Sequence, residues 1–205
     1  MALVKHNNNS ISNLTSAGQL AQGKMTLISS QTASGSASIS FTSGIDSTYP
    51  IYQFEFINLH PSINERQLYM GGSVNSGSSY EATAKTSTCF RAYHTEGGSS
   101  GTLAYYTAGD LAQSTDAQYL SVEASNENDH GVSGTFTLFN PSSTTFVKHF
   151  ISSSNSVYND TSDTTMNFYV AGYFNTTSAI NAIRFRFTTG NMDSGTIKLY
   201  GIKGD

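Results

Sequence analysis

The chain has 205 residues, a formal net charge of -4, and charged residues at only 12%, about half the share of an ordinary globular protein. Its aromatic content is 12%, all Tyr and Phe with no Trp, and Lys and Arg are scattered, which argues against a phosphate-binding face, and no nucleic-acid partner is expected. The single cysteine, Cys89, leaves neither an internal disulfide nor a cysteine metal site. No stretch nears the roughly 18 apolar residues of a membrane span, and the first residues lack the apolar core of a leader. Neither membrane insertion nor a signal peptide is expected.

Residues 1–23 stand apart. Leu3, Val4, Ile11 and Leu14 are spaced by Asn, Ser and Gly, with no sustained helical or strand period. Such a segment buries little by itself, and it is either an attachment arm that orders on a neighbour or a frayed terminus. Residues 24–205 form the second unit, in which strand patterns recur between turn clusters. An opening pair is predicted at 25–30 and 36–42, with Ala37, Ile39 and Phe41 pointing inward. The strongest strand is 51–60: Tyr52, Phe54 and Phe56 line one face, while Ile57 and Leu59 keep its end apolar on both, as in a covered strand. Strands at 67–72 and 80–94 follow, the second long enough to bend. Residues 95–131 read as a long Gly-, Ser- and Asp-rich excursion with a weak element near 105–111. Further strands are predicted at 132–140, 146–152, 166–174, 180–188 and 195–202.

The last two strands are the clearest. Ile183, Phe185 and Phe187 share one face with Arg184 and Arg186 on the other, and Ile197 and Leu199 alternate with Thr196, Lys198 and Tyr200. Gly190-Asn191 and Asp193-Ser194-Gly195 are turn formers, so the segment reads as a closing hairpin that seals a sheet. About ten short strands with few helix signals predict an all-β fold, an antiparallel two-sheet sandwich that is jelly-roll-like and carries an extended N-terminal arm.

Few residues here suggest chemistry. His6, His60, His94, His130 and His149 are dispersed, and the acids on predicted strands, Glu55, Glu81 and Glu123, do not form an evident glycosidase pair. The clusters at 123–130 and 159–163 have the Asp and Asn content of calcium loops without EF-hand spacing, and turn chemistry accounts for both. No metal, cofactor or catalytic residue is assigned. The remaining candidates are tyrosines, whose flat faces and hydroxyls suit sugar stacking and subunit contacts alike. Tyr105 and Tyr106 in the long excursion, with Tyr119, form the candidate receptor or glycan contact.

Several phrases also carry a resemblance. These are Gly23-Lys24-Met25, the run from Ser47 to Pro61, Ala171-Gly172-Tyr173-Phe174-Asn175, and the ending with Ile183-Arg184-Phe185, Gly190-Asn191, Gly195-Thr196-Ile197 and Leu199-Tyr200-Gly201-Ile202. Together they resemble virion structural proteins of tailed phages, found in tail fibres and in virion proteins of marine phages, over roughly residues 24–203. The resemblance implies a non-enzymatic fibre, spike, head-fibre or capsid-decoration subunit, made in the host cytoplasm and located in the virion. It further implies a homotrimer, contacts with other capsid or tail proteins through Leu3, Val4, Ile11 and Leu14, and host attachment. The alternative is a carbohydrate-binding module that attaches the phage to host surface glycan. A glycan hydrolase is a weaker third reading.

Overall fold

The computed structural model describes residues 25–159 and 162–203. The expected arm, with Leu3, Val4, Ile11 and Leu14, lies outside them. All regular elements among the described residues are strands: β1 (Met25–Thr32), β2 (Ile39–Phe41), β3 (Ile51–Pro61), β4 (Leu68–Ser73), β5 (Lys85–Thr95), β6 (Gly101–Tyr105), β7 (Leu111–Ser114), β8 (Gln118–Tyr119), β9 (Val132–Phe139), β10 (Lys148–Asn159), β11 (Asp163–Phe174), β12 (Ala182–Phe187) and β13 (Met192–Ile202). They form two antiparallel sheets. The large one runs β1-β13-β3-β9-β10-β11-β5-β6, with β7 also on β5, and the small one runs β2-β12-β4-β8. The two-sheet antiparallel sandwich is therefore as expected. The excursion at 95–131 contributes three short strands, of which β6 returns onto β5 through a tight turn with Gly98 at φ +68°.

One expectation is overturned. β12 and β13 are not a hairpin: β12 pairs with β2 and β4 in the small sheet, and β13 pairs with β1 and β3 in the large one. The connection between them is a corner that crosses from sheet to sheet. Gly190 turns it at φ +76°, and a Cβ there would meet Ser62 Oγ at 2.7 Å, so glycine is needed on both counts. The crossing places Phe185 and Leu199 on opposing inner faces, both fully buried.

Between the sheets lies a phenylalanine-rich core. Phe185 reaches across from β12 and meets Phe54 at 5.1 Å and Phe56 at 5.0 Å between ring centroids, both edge-on. Phe136 and Phe41 complete its surroundings at 6.1 and 6.4 Å. Edge-to-face pairs of this kind add about 0.5–1.5 kcal/mol each beyond the area they bury. Beyond the small sheet, the irregular segment at 120–124 covers β10. Leu120, Val122 and Ala124 are buried there, and the inward hydroxyls of Ser154 and Ser156 donate to the carbonyls of Leu120 and Val122. The core is thus closed by backbone as well as by side chains.

Two lysines interrupt this apolar interior. Lys148 and Lys85 lie opposite Phe174 on the two strands flanking it, and both side chains are fully buried. The Lys85 ammonium donates to the carbonyls of Thr83 (3.1 Å) and Thr115 (3.2 Å), and that of Lys148 to those of Phe146 (2.6 Å) and Thr176 (3.1 Å). Neither pairs with a carboxylate among the described residues, so burial dominates and lowers both pKa values, that of Lys85 from 10.5 to about 8 despite opposing fields from Glu81 and Asp116. An unfolded Lys85 keeps its proton up to 10.5 while the folded one releases it near 8, so the unfolded chain binds more protons in between and stability rises with pH. Urea unfolding between about pH 7 and 8, below the 9.0 at which the thiol of an unfolded Cys89 ionises and begins to oppose the trend, is expected to show this rise. Lys85→Met should remove most of it. An unchanged slope in the variant would contradict the assignment.

Candidate functional site

The structure separates the tyrosines that the sequence groups together. Tyr105 ends β6 on the outer face of the large sheet, 54% exposed, and its hydroxyl donates to the Asp110 carboxylate at 2.6 Å. That bond raises its pKa, as the carboxylate disfavours a phenolate beside it. Tyr106 faces the other way. It packs edge-on against Phe168 at 5.7 Å and carries the Arg91 guanidinium over its ring at 4.9 Å, and burial raises its pKa. Tyr119, on β8, stacks at a tilt on Tyr69 at 4.7 Å and approaches Tyr106 at 6.5 Å. Tyr105, Tyr106 and Tyr119 are therefore not one site, because successive residues of a strand point to opposite faces.

Two surfaces result. The first covers the outside of the small sheet, where Arg186, Tyr69 and Tyr119 form one row across β12, β4 and β8. Arg186 lies over Tyr69 at 5.2 Å and Arg184 over Tyr80 at 4.5 Å. Both guanidiniums reach Glu81 Oε1, at 2.6 Å from Arg184 and 3.7 Å from Arg186, and Arg91 pairs with Glu123 at 3.2 Å. The arginines are thus engaged within the chain: their planes cover tyrosine faces, and Arg184 and Arg186 share the single Glu81 carboxylate.

The second surface is the outer face of the large sheet. Tyr169, Phe90 and Tyr105 stand side by side on β11, β5 and β6, with Phe90 and Tyr169 stacked at 4.9 Å. Phe90 is 43% exposed, Ile151 53% and Leu103 69%. Beside them a shallow concavity of about 530 Å³ is lined by Phe139, His149, Ile151, Ala171 and Tyr173. Farther along the sheet Lys198 lies opposite Glu55, so the face gains no net charge from that pair. Phe90, Leu103, Ile151 and Tyr169 were not singled out from sequence. The signal was present in the alternation: β11 has Phe168 and Val170 inward, yet Tyr169 and Ala171 outward are also apolar, as in a strand with both faces covered.

The two acidic segments noted in the sequence also meet. Glu127, Asp129 and His130 before β9 lie next to Asp163 at the start of β11, whereas Glu123 turns away to Arg91.

The division of the tyrosines has a direct consequence for stability. Tyr106→Ala is expected to cost about 2–4 kcal/mol in urea unfolding, since it empties a packed position against Phe168 and Arg91. Tyr105→Ala should stay within about 0.5 kcal/mol of the parent, as its ring packs on the surface. Equal losses in the two variants would contradict the opposed orientations. Searches against protein-family models, curated proteins and solved structures return no match, so a functional reading of this chain rests on the chemistry of these surfaces.

Proposed function

We propose that this chain is a non-enzymatic structural subunit of a tailed-phage virion, a surface fibre, spike or capsid-decoration protein that assembles as a homotrimer. The observation that carries the reading is the aromatic outer face of the large sheet, with Phe90, Tyr169, Tyr105, Leu103 and Ile151 exposed together. Contiguous exposed apolar patches mark protein contact surfaces in soluble domains. Burying a Phe or Leu side chain contributes about 1.5–3 kcal/mol, so a few such residues on each protomer supply a substantial driving force for association. The low charge of the chain lowers the desolvation cost of such an interface. In this reading the face joins protomers and the segment at 1–23 attaches the trimer to another capsid or tail protein. The resemblance described above supports placement in the virion, with synthesis in the host cytoplasm.

A second reading, recognition of host glycan, is favoured by one feature. The Tyr105 ring stands beside the Asp110 carboxylate, and an aromatic plane next to a hydrogen-bonding acid suits a sugar ring. Tyr106, turned inward, has no part in it.

Light scattering on the purified chain at micromolar concentration tests the first reading. A trimer is expected for the parent, and a monomer with an unchanged circular dichroism spectrum for Phe90→Ser with Tyr169→Ser. A monomeric parent, or a double variant that stays trimeric, would overturn assembly through this face. Loss of cell binding by Tyr105→Ala with its oligomeric state intact would favour the glycan reading.

A further inference from the structure

We propose that a cleft on the inner face of the large sheet, around Arg91, Tyr93, Glu123 and Tyr158, binds a neutral sugar residue of a glycan. The cleft has a volume of about 440 Å³, inside the range of roughly 300–1,000 Å³ usual for small-ligand sites. Its place follows from the strand register. Phe168, Met166 and Thr164 succeed one another on the inward side of β11, opposite Arg91, Tyr93 and Thr95 of β5, and Tyr158 of β10 lies opposite Thr164. Along this line the inner face changes character: Phe168 and Met166 are buried, whereas Arg91, Tyr93 and Tyr158 keep partial exposure. A core face that ends in arginine, tyrosine and threonine suits a polar partner better than another apolar layer.

The polar groups of the cleft are held in place. The Arg91 guanidinium lies over the Tyr106 ring at 4.9 Å and the Tyr93 ring at 5.7 Å, and its Nη1 donates to Glu123 Oε2 at 3.2 Å. Glu123 has a φ of +48°, in the left-handed region that a non-glycine residue seldom adopts. Such strain persists where the surroundings enforce it, and it gathers at binding sites. Here the surroundings do enforce it. Val122 and Ala124 on either side are buried, Ala124 exchanges two backbone bonds with Arg66, and Ser125 N donates to the Val157 carbonyl. A donor and an acceptor thus stand side by side in advance of any ligand, beside tyrosine rings.

The chemistry selects the ligand. A sugar hydroxyl both donates and accepts, so two neighbouring hydroxyls can accept from Arg91 and donate to Glu123 at once. The apolar face of a sugar ring suits a tyrosine, and Tyr93 and Tyr158 both line the cleft. Further hydroxyls stand at the rim, where Thr95 Oγ1 lies 3.2 Å from Ser99 Oγ and accepts from Ser100 N. An anionic sugar is disfavoured, because Glu123 already faces the one guanidinium that lines the cleft among the described residues. The cleft lies on the opposite side of the sheet from Phe90 and Tyr169, so it depends neither on assembly through that face nor on Tyr105.

The test is saturation-transfer difference NMR on the full chain with the methyl glycosides of glucose, galactose, mannose and N-acetylglucosamine, and with glucuronic and galacturonic acids as the anionic comparison. At least one neutral glycoside is expected to bind. Glu123→Gly and Tyr93→Ala should each weaken that binding about tenfold or more, while Tyr105→Ala leaves it unchanged. Glycine adopts φ +48° without strain, so Glu123→Gly folds and decides the matter even where Tyr93→Ala does not. Absence of binding by all the neutral glycosides, or parent-like binding by Glu123→Gly, would overturn the site. Binding lost in Tyr105→Ala and kept in Glu123→Gly would move the sugar to the outer face and overturn it too. Tighter binding of the uronic acids would overturn the choice of a neutral ligand.

Discussion

The packing of the small sheet on the large one around Phe185 is the constraint on which the rest of the molecule depends. No strand is shared between the sheets, so side-chain contacts hold them together, and Phe185 meets Phe41, Phe54, Phe56 and Phe136 at the middle of that contact. A strand has period two, so an inward Phe185 forces Arg184 and Arg186 outward. By the same rule an inward Phe168 and Val170 send Tyr169 out, and a buried Cys89 sends Phe90 out. The surface chemistry of the protein is the complement of its core.

The two outer faces meet different fates, and magnitudes separate them. On the small sheet, guanidinium planes lie over Tyr69 and Tyr80 and both arginines share the Glu81 carboxylate. Exposed cation–π contacts contribute about 0.5–1 kcal/mol each, and this layer is satisfied where it stands. On the large sheet no comparable layer among the described residues covers Phe90, Ile151 and Leu103, which are 43%, 53% and 69% exposed. Covering each such side chain is worth about 1.5–3 kcal/mol, so this face gains more from a partner than the arginine face does. That inequality makes the large sheet the assembly surface in the account proposed above.

Much of this was legible in the sequence, because half-buried strands display their faces through alternation. The strands around Phe54, Phe136 and Phe168 stand where the apolar period places them. Pairing partners were not legible. Arg184, Phe185 and the Gly190 turn are compatible with a hairpin and with a corner alike, and only the opposing positions of Phe185 and Leu199 across the core decide between them. The burial of Lys85 and Lys148 was not legible either, since a lysine is buried here only through carbonyls brought to it by distant chain, those of Thr115 and Thr176. The division of the candidate tyrosines follows from a simpler rule. Tyr105 and Tyr106 are neighbours in sequence yet face opposite sides of one sheet. His130 was one of five scattered histidines until the fold set it beside Asp163.

Hydroxyl-radical footprinting of the protein, assembled against dissociated by dilution, tests the central claim most directly, that the outer face of the large sheet is covered in the working assembly. The account predicts that Phe90, Leu103, Tyr105 and Tyr169 lose reactivity on assembly while Tyr69 and Tyr119 on the small sheet do not. Unchanged reactivity at Phe90 and Tyr169, with protection confined to the small sheet, would contradict it.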